Sequence, residues 1–527
     1  MATSRSVVIS DIGKRSVFAF AFGIVFALAA LWALASPIFS VPDESAHATK
    51  AIAQVRGQVI GHEVPGIKHL VVDLPEEYRY SPQIVCFAFH PETPANCGVE
   101  LGDPSGTTWF NTWVGAYNPL YYYAVGWPSL LLDGSAGIYG MRIASALIGS
   151  MFIAFAFQIA VAGRRSRWMP LGVAFAAMPM CVYLFGSVNP NGIEVASAVA
   201  LWVALPRLLE SLDDRGPTFS PTPPPWYLWF VVTLASVALT TARALGPLWL
   251  VVVVLLCFVV SGWRPVSVLF TRAKSYWWLS VIAAASLFSI FWTLGGGSLS
   301  SQAEKSDAPM VGATFIQGFT YVVRATPDFL QQALGIFGWA DSPLPSWTYW
   351  SAVAASAILL MLAFTAVRRR GVVSLTVVVA ASLLIPALVQ GYSVSQTGII
   401  WQGRYGLFLY LGVTIVASWL LSRAEAAGIA HMSVRVTWVV ASLVGTFGIL
   451  AFVFVMQRYV IGNTVPVSAM WKNPAWQPPL GWPTLVCLYV LATVAFVAVV
   501  GLMAMRTARA DHPVVRESPT VPPSPRA

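Results

Sequence analysis

Three ionisable side chains crowd residues 40–47, SVPDESAH: Asp43, Glu44 and His47. Asp43 and His47 are four apart, so on a helix they share a face. A carboxylate and an imidazole placed together can take a proton from a hydroxyl, orient a substrate or contribute to a divalent-ion site. The same stretch also fits a plainer role. Pro42 suits a first helical turn, Ser40 to Asp43 has the S-x-x-D spacing of a capping box, and Glu44 would favour the positive end of a helix dipole. Glu44 to His47 spells E-x-x-H as well. A di-iron site needs a second copy and further glutamates on facing helices, and the sequence offers none.

Other polar groups recur at the ends of apolar runs. Arg142, Arg243 and Arg404 carry the planar, permanently charged fork that suits a phosphate, although an arginine at an interface can also simply snorkel. Arg404 sits beside Tyr405 in WQGRY. Asn189 and Asn191 flank Pro190 in SVNPNG with Glu194 just beyond, and Asp341 lies in GWADSPLP. Both stretches fit plain turns equally. The tyrosine run at 121–123, beginning with Tyr121, reads as an interface belt or as a platform for stacking a sugar. Cys86 and Cys97 share one long polar loop and are either a disulfide or two free thiols. Cys181, Cys257 and Cys487 fall inside apolar runs and read as packing residues.

The elements that must position these groups are membrane spans. Of 527 residues, 57% are hydrophobic and 10% charged, with mean hydropathy +0.69; soluble domains carry about 25% charged residues. The fold class is an all-α polytopic membrane protein. Twelve apolar stretches are expected, at about 16–36, 137–162, 168–187, 192–209, 226–242, 245–262, 276–295, 347–367, 372–392, 402–421, 436–456 and 481–505. The first follows Lys14 and Arg15 and has no small-residue cleavage site before Pro37, so it reads as a retained helix. Residues 115–132 would invert every later loop if they crossed, so they read as a juxtamembrane helix in the outer interface. With them outside, RRSR (164–167), RPVSVLFTRAK (264–274), RRR (368–370) and RTAR (506–509) all fall inside, and the acids concentrate outside. By the positive-inside rule both termini are cytoplasmic. The expected organisation is one integral membrane domain over 1–505, with outer loops at about 37–136, 296–346 and 457–480, and a disordered, Pro-rich cytoplasmic tail at 506–527.

Several classes drop out. The net charge of +9 tracks the loops and does not alternate with aromatics, so it is no nucleic-acid signal, and the 22 tryptophans suit interface belts. G-x-x-x-x-G-K-[ST], a strand-borne G-x-G-x-x-G and H-E-x-x-H are all missing. The sequence offers no nucleotide site, which leaves an ATP-driven pump or a sugar-nucleotide enzyme unsupported.

Taken in order, SVPDESAH with a helix ending at Gly57, YNPLYYY, SVNPNG, GWADSPLP and WQGRY resemble the bacterial membrane-protein family catalogued as domain of unknown function 2142. The resemblance covers about 16–505. That family is grouped with the GT-C glycosyltransferases, polytopic enzymes that use lipid-phosphate-linked sugars. The resemblance implies an acidic motif just after the first span, here Asp43-Glu44. It also implies a juxtamembrane P-P-L-Y-Y-like helix, here Asn118 to Tyr122, and an arginine opening the second span, here Arg142. Asn118 departs from the pattern's first proline, and no C-terminal soluble domain follows, so an acceptor would rely on the outer loops and a membrane groove. The implied activity is sugar transfer from a polyprenyl-phosphate donor to an envelope glycan or lipid acceptor, on the outer face of the bacterial cytoplasmic membrane. Asp43 would be the base, with Glu44 and His47 orienting it, binding hydroxyls or helping to hold an optional Mg or Mn ion. Arg404, Arg243 and Arg142 would bind the donor phosphate. Asn189, Asn191, Glu194, Asp341, Tyr405 and Tyr121 would complete the substrate site. The alternatives are a polymerase or ligase using lipid-diphosphate glycans, a lipid or glycan transporter, and an assembly protein in which Asp43 is only a cap.

Overall fold

The computed structural model describes residues 3–162, 166–212, 225–297 and 307–509. Residues 164 and 165 of the basic stretch at 164–167 therefore lie outside the described residues, as does the expected tail from 510 onward; residues 506–509 continue the last helix. Eighteen helices are formed among the described residues. In chain order they are α1 Thr3–Ala35, α2 Glu44–Val55, α3 Pro119–Gly126, α4 Gly134–Ala162, α5 Trp168–Ala174, α6 Pro179–Phe185, α7 Pro190–Leu212, α8 Pro225–Ala242 and α9 Gly246–Ser261. They continue with α10 Trp263–Thr271, α11 Ala273–Gly295, α12 Phe315–Arg324, α13 Thr326–Gly335, α14 Ser346–Ala366, α15 Arg369–Thr397, α16 Leu407–Ala426, α17 Val434–Ile461 and α18 Trp482–Arg509.

Nine helical stretches are long and apolar enough to cross a membrane, or eleven if each of two bent pairs crosses as one span. The shorter apolar helix Trp226–Ala242 occupies the remaining expected stretch. The two bends have local causes. Proline disfavours helical backbone at the residue before it, so Met178 is extended ahead of Pro179 and the pair 168–185 bends by 56°. Gly262 adopts φ +86°, which only glycine does readily, and α10 turns by 117° from α9. Residues 115–132 form only α3 and one short turn, too little to cross a bilayer.

One expected boundary is corrected. The stretch beginning near 402 stays non-helical until Leu407, because Gly403–Tyr405 form a tight 3-10 turn. Gly403 is pressed against α13: its N–H donates to Gln332 Oε1 at 2.9 Å, and a Cβ there would stand 2.1 Å from the Phe329 carbonyl. Arg404 thus projects from a turn, not from a span.

The spans share one continuous apolar core. The first loop carries a second, smaller core of its own, built from Phe39, Ile52, Val72, Tyr78, Tyr121, Tyr122, Val125 and Met141 among others. It is a folded cap. Its α2 packs on α3, and strands β1 (Leu70–Asp73) and β2 (Trp109–Thr112) pair antiparallel beside them. Tyr121 and Tyr122 are buried in this cap and Tyr123 alone of the three is exposed, so the run is mostly packing and only its last member suits a belt. Cys86 and Cys97 are joined by a disulfide. Arg458, near the end of α17, holds that arm by donating to the carbonyls of Phe87 at 2.6 Å and Thr93 at 2.7 Å. Cys181 and Cys257 are buried, whereas Cys487 is exposed on α18 and does not pack in the core.

A close helix approach lies where α6 ends against α1. A Cβ on Gly186 would stand 2.3 Å from the Ala29 carbonyl, well inside contact distance and against backbone that cannot swing away. Gly186→Ala is expected to force α1 and α6 apart and lower the thermal unfolding midpoint in detergent. Overpacking of this kind costs about 1–3 kcal/mol. An unchanged midpoint would contradict the approach.

Candidate active site

The site begins where α1 ends. Residues 36–43 turn the chain from α1 into α2, and Asp43 stands at the N-cap position with φ +65°, left-handed backbone that non-glycine residues adopt rarely. Its side chain makes no capping bond, so the capping-box expectation fails. The carboxylate forms an ion pair with Arg404 instead. Arg404 is buried and also reaches the Pro42 carbonyl at 3.4 Å and the Tyr405 hydroxyl at 3.3 Å.

Glu44, the next residue, has a different fate. It and Arg142 are both 0% exposed. Arg142 donates through Nε and Nη2 to the two carboxylate oxygens at 2.8 and 2.5 Å. Its remaining N–H groups go to the carbonyls of Ala33 at 2.8 Å, Ser36 at 2.6 Å and Pro37 at 2.8 Å. A guanidinium has five N–H donors, and all five are used. The Val188 N–H donates to Glu44 Oε1 at 3.1 Å. Arg142 thus has no N–H left for a phosphate, and with both side chains fully buried the structure does not bring Glu44 or Arg142 to the cavity where the sequence reading expected them.

Around Asp43 lies a cavity of about 420 Å³. Asp43 and His47 line it from the cap, Asn191 from the start of α7, Arg243 from the α8–α9 turn, and Gln402 and Tyr405 from the turn before α16. Lys68, His69, Trp113 and Tyr117 add a wall from the cap; Asp307, Ile399 and Ile400 add one from the later loops. Arg243 stacks 4.3 Å from the Tyr405 ring centroid and approaches Glu194 at 3.7 Å. Asn191 Nδ2 donates to the same Glu194 carboxylate at 3.1 Å. His47 Nδ1 shares a hydrogen bond with the Tyr122 hydroxyl at 2.9 Å. Burial first, then the neighbouring Arg243 and Arg404, hold its pKa well below 6.5, so the imidazole is neutral.

Of the residues expected from sequence, Asp43, His47, Asn191, Arg243 and Tyr405 come together in the cavity, with Arg404 and Glu194 directly behind them. The others sit elsewhere. Asn189 is structural: it donates to the Pro42 carbonyl at 2.9 Å and accepts from the Asn191 N–H at 3.0 Å, opening α7. Tyr121 is buried against Ser145 and does not reach the cavity. Asp341 pairs with Arg458 at 3.1 Å and accepts from the Phe89 N–H at 2.9 Å, holding the disulfide arm and not a substrate.

Sequence reading missed Trp113, the Lys68–Asp307 ion pair and Lys50, and gave Tyr122 and Gln402 no role beyond membership of their motifs. Lys50 follows His47 by three residues, which places both on one helix face. Its ammonium is buried, donates to the carbonyls of Val59 and Gly115, and has its pKa pushed down to about 7 by that burial. Among the described residues no three His, Cys, Asp or Glu side chains converge, and Asp43 is engaged by an arginine.

These features define a polytopic α-helical membrane protein whose folded cap closes over a charged cavity at one end of the helix bundle. The chain belongs to the family described as Predicted membrane protein (DUF2142), which matches residues 26–413 and so includes every cavity residue named above. Searches of curated proteins and of solved structures each returned no match.

His47 gives the cap a pH dependence of definite sign. Its folded pKa is depressed, so the unfolded chain takes up the proton first as pH falls, near the ordinary value of about 6.5. Its contribution to stability is complete above that pH and is lost as pH drops below it. The unfolding midpoint is expected to fall from pH 7 to pH 5, and His47→Gln to flatten that fall. An equally steep profile in His47→Gln would contradict the buried, neutral imidazole.

Proposed function

We propose that this protein is a GT-C-like glycosyltransferase that moves a sugar from a polyprenyl-phosphate donor to an envelope glycan or lipid acceptor. The site would face outward from a bacterial cytoplasmic membrane, with both chain termini in the cytoplasm. The observation that carries this reading is the cavity itself. Asp43 and Arg243 line one hollow, with Arg404 paired to Asp43 directly behind it, in a chain without a nucleotide motif.

The chemistry is a single displacement. The acceptor hydroxyl attacks the anomeric carbon, the bond from that carbon to the phosphate oxygen breaks, and the hydroxyl proton passes to Asp43. Polyprenyl phosphate leaves with the electron pair, and Arg243 and Arg404 stabilise the charge that develops on it. In the absence of donor, Arg404 is occupied by Asp43. A phosphate oxygen competing for that guanidinium would release the carboxylate to act as base. The side chain of Arg243 is 21% exposed and its carboxylate partner is 3.7 Å away, so it is the cation best placed to meet the phosphate first.

A ligase using lipid-diphosphate glycans is the second reading. It would use Lys68, a further cation lining the same cavity, which is paired with Asp307 as Arg404 is with Asp43.

The test is mass spectrometry of envelope glycans and lipid-linked sugars in cells lacking the protein. They would be complemented with wild type or Asp43→Asn at matched membrane levels. The expected result is that a glycan is lost, its lipid-linked donor builds up, and only wild type restores both. General-base loss slows transfer about 100- to 10,000-fold. A monophosphate donor accumulating supports transfer, and a diphosphate supports the ligase. Full restoration by Asp43→Asn would reject Asp43 as base.

A further inference from the structure

One wall of the cavity takes no part in the displacement just described. Trp113 and Tyr117 come from the segment between β2 and α3, and His69 directly precedes β1. The His69 ring meets the Trp113 indole edge-on, with centroids 6.1 Å apart and planes at 66°. That contact fixes the indole, and Trp113 is only half-buried, so part of its ring remains open to the cavity. Tyr117 is buried beside it, its ring 6.1 Å from His47. Two amides, Asn191 and Gln402, line the same hollow.

This combination suits one ligand chemistry. The face of an indole carries negative potential and so attracts the polarised C–H groups that a pyranose presents on one face. The hydroxyls around the rim of that ring both donate and accept, as side-chain amides do. A volume of about 420 Å³ is within the range of small-molecule pockets. An isoprenoid tail would gain nothing from the amides or from the Lys68–Asp307 pair on the same hollow. We propose that Trp113, held by His69, is the stacking platform of a pyranose subsite, with Asn191 and Gln402 contacting the hydroxyls of the ring. This rests on the glycosyl-transfer reading and assigns that cavity a specificity-determining residue. The sugar is that of the donor or that of the acceptor; both present the same ring to the indole.

The test is saturation-transfer NMR on the full-length protein in lipid nanodiscs. The probes are the methyl pyranosides of glucose, galactose, mannose and N-acetylglucosamine. At least one is expected to receive saturation at its ring C–H protons. Trp113→Ala and Trp113→Leu should weaken its binding about fivefold or more, while Trp113→Phe retains it. Trp113→Leu keeps the apolar bulk without a π face, and thermal midpoints close to wild type establish that each variant is folded. No binding by any probe, or binding that survives Trp113→Leu, overturns the subsite. The matching hexose 1-phosphates separate the two sources. A gain over the methyl glycoside that Arg243→Gln erases identifies the donor sugar, and no gain identifies the acceptor sugar. Binding that depends on Trp113 in cells whose glycans ignore Asp43→Asn would reject the transfer reading alone. Glycans that need Asp43, with binding indifferent to Trp113, would reject the subsite alone.

Discussion

The buried pair between Glu44 and Arg142 fixes everything around the site. Arg142 takes up the carbonyls of Ala33, Ser36 and Pro37 where α1 ends. The last carbonyls of a helix have no partner within it, and in an apolar setting leaving them bare would be costly. The guanidinium satisfies one of them, at Ala33, together with the Ser36 and Pro37 carbonyls just beyond the helix, and so ties down the end of α1. Glu44 neutralises that charge, opens α2 and accepts the Val188 N–H from the link between α6 and α7. One ion pair therefore joins α1, α2, α4 and the α6–α7 link. Replacing such a pair as a unit can be neutral, but removing one member strands a buried charge and costs about 3–5 kcal/mol.

That anchorage explains how two adjacent carboxylates come to have different partners and exposure. With Glu44 drawn inward, the chain before it is forced into a left-handed turn, and Asp43 is carried to the cavity wall with its side chain 23% exposed. Strained backbone of this kind persists only where the surroundings over-determine it. The cap supplies the rest. His47, Tyr122 and Lys50 form a buried polar group in which Lys50 lies 5.6 Å from the Tyr122 ring centroid. Arg243 and Arg404 both approach Tyr405, at 4.3 and 5.1 Å. Each arginine is balanced by one carboxylate, Glu194 or Asp43. The cavity is thus close to neutral, the cations on it being paired with carboxylates.

Much of the fold was legible because a bilayer demands about twenty apolar residues per helix, a long and redundant signal. The breaks were less visible: Met178-Pro179 interrupts a stretch that reads as a single span, and Gly262 turns the chain into a further helix where another expected span ends. Within the site, residue type did not separate structure from chemistry. Asp43 and Glu44 differ by one methylene and one position, and only backbone conformation and partner divide them. Arg142, Arg243 and Arg404 look alike as arginines at helix ends, yet the first is saturated by backbone and Glu44, whereas Arg243 borders the cavity. Trp113, Lys68 and Asp307 carried no local signal. Lys68 and Asp307 are 239 residues apart in sequence and meet only through the packing of two loops. Arg458 was hidden for a simpler reason: α17 runs to Ile461, past the expected end of its span, and brings the arginine against the disulfide arm.

The most direct measurement is a double-mutant cycle on the anchoring pair, read by thermal unfolding of purified Arg142→Met, Glu44→Gln and the double variant in one detergent. Each single change is expected to cost about 3–5 kcal/mol, and the double variant to be no less stable than the worse single one, because partners in one buried network do not add. Two losses that simply add, or two that are both negligible, would contradict the claim that this pair sets the end of α1 and, through it, the position of Asp43.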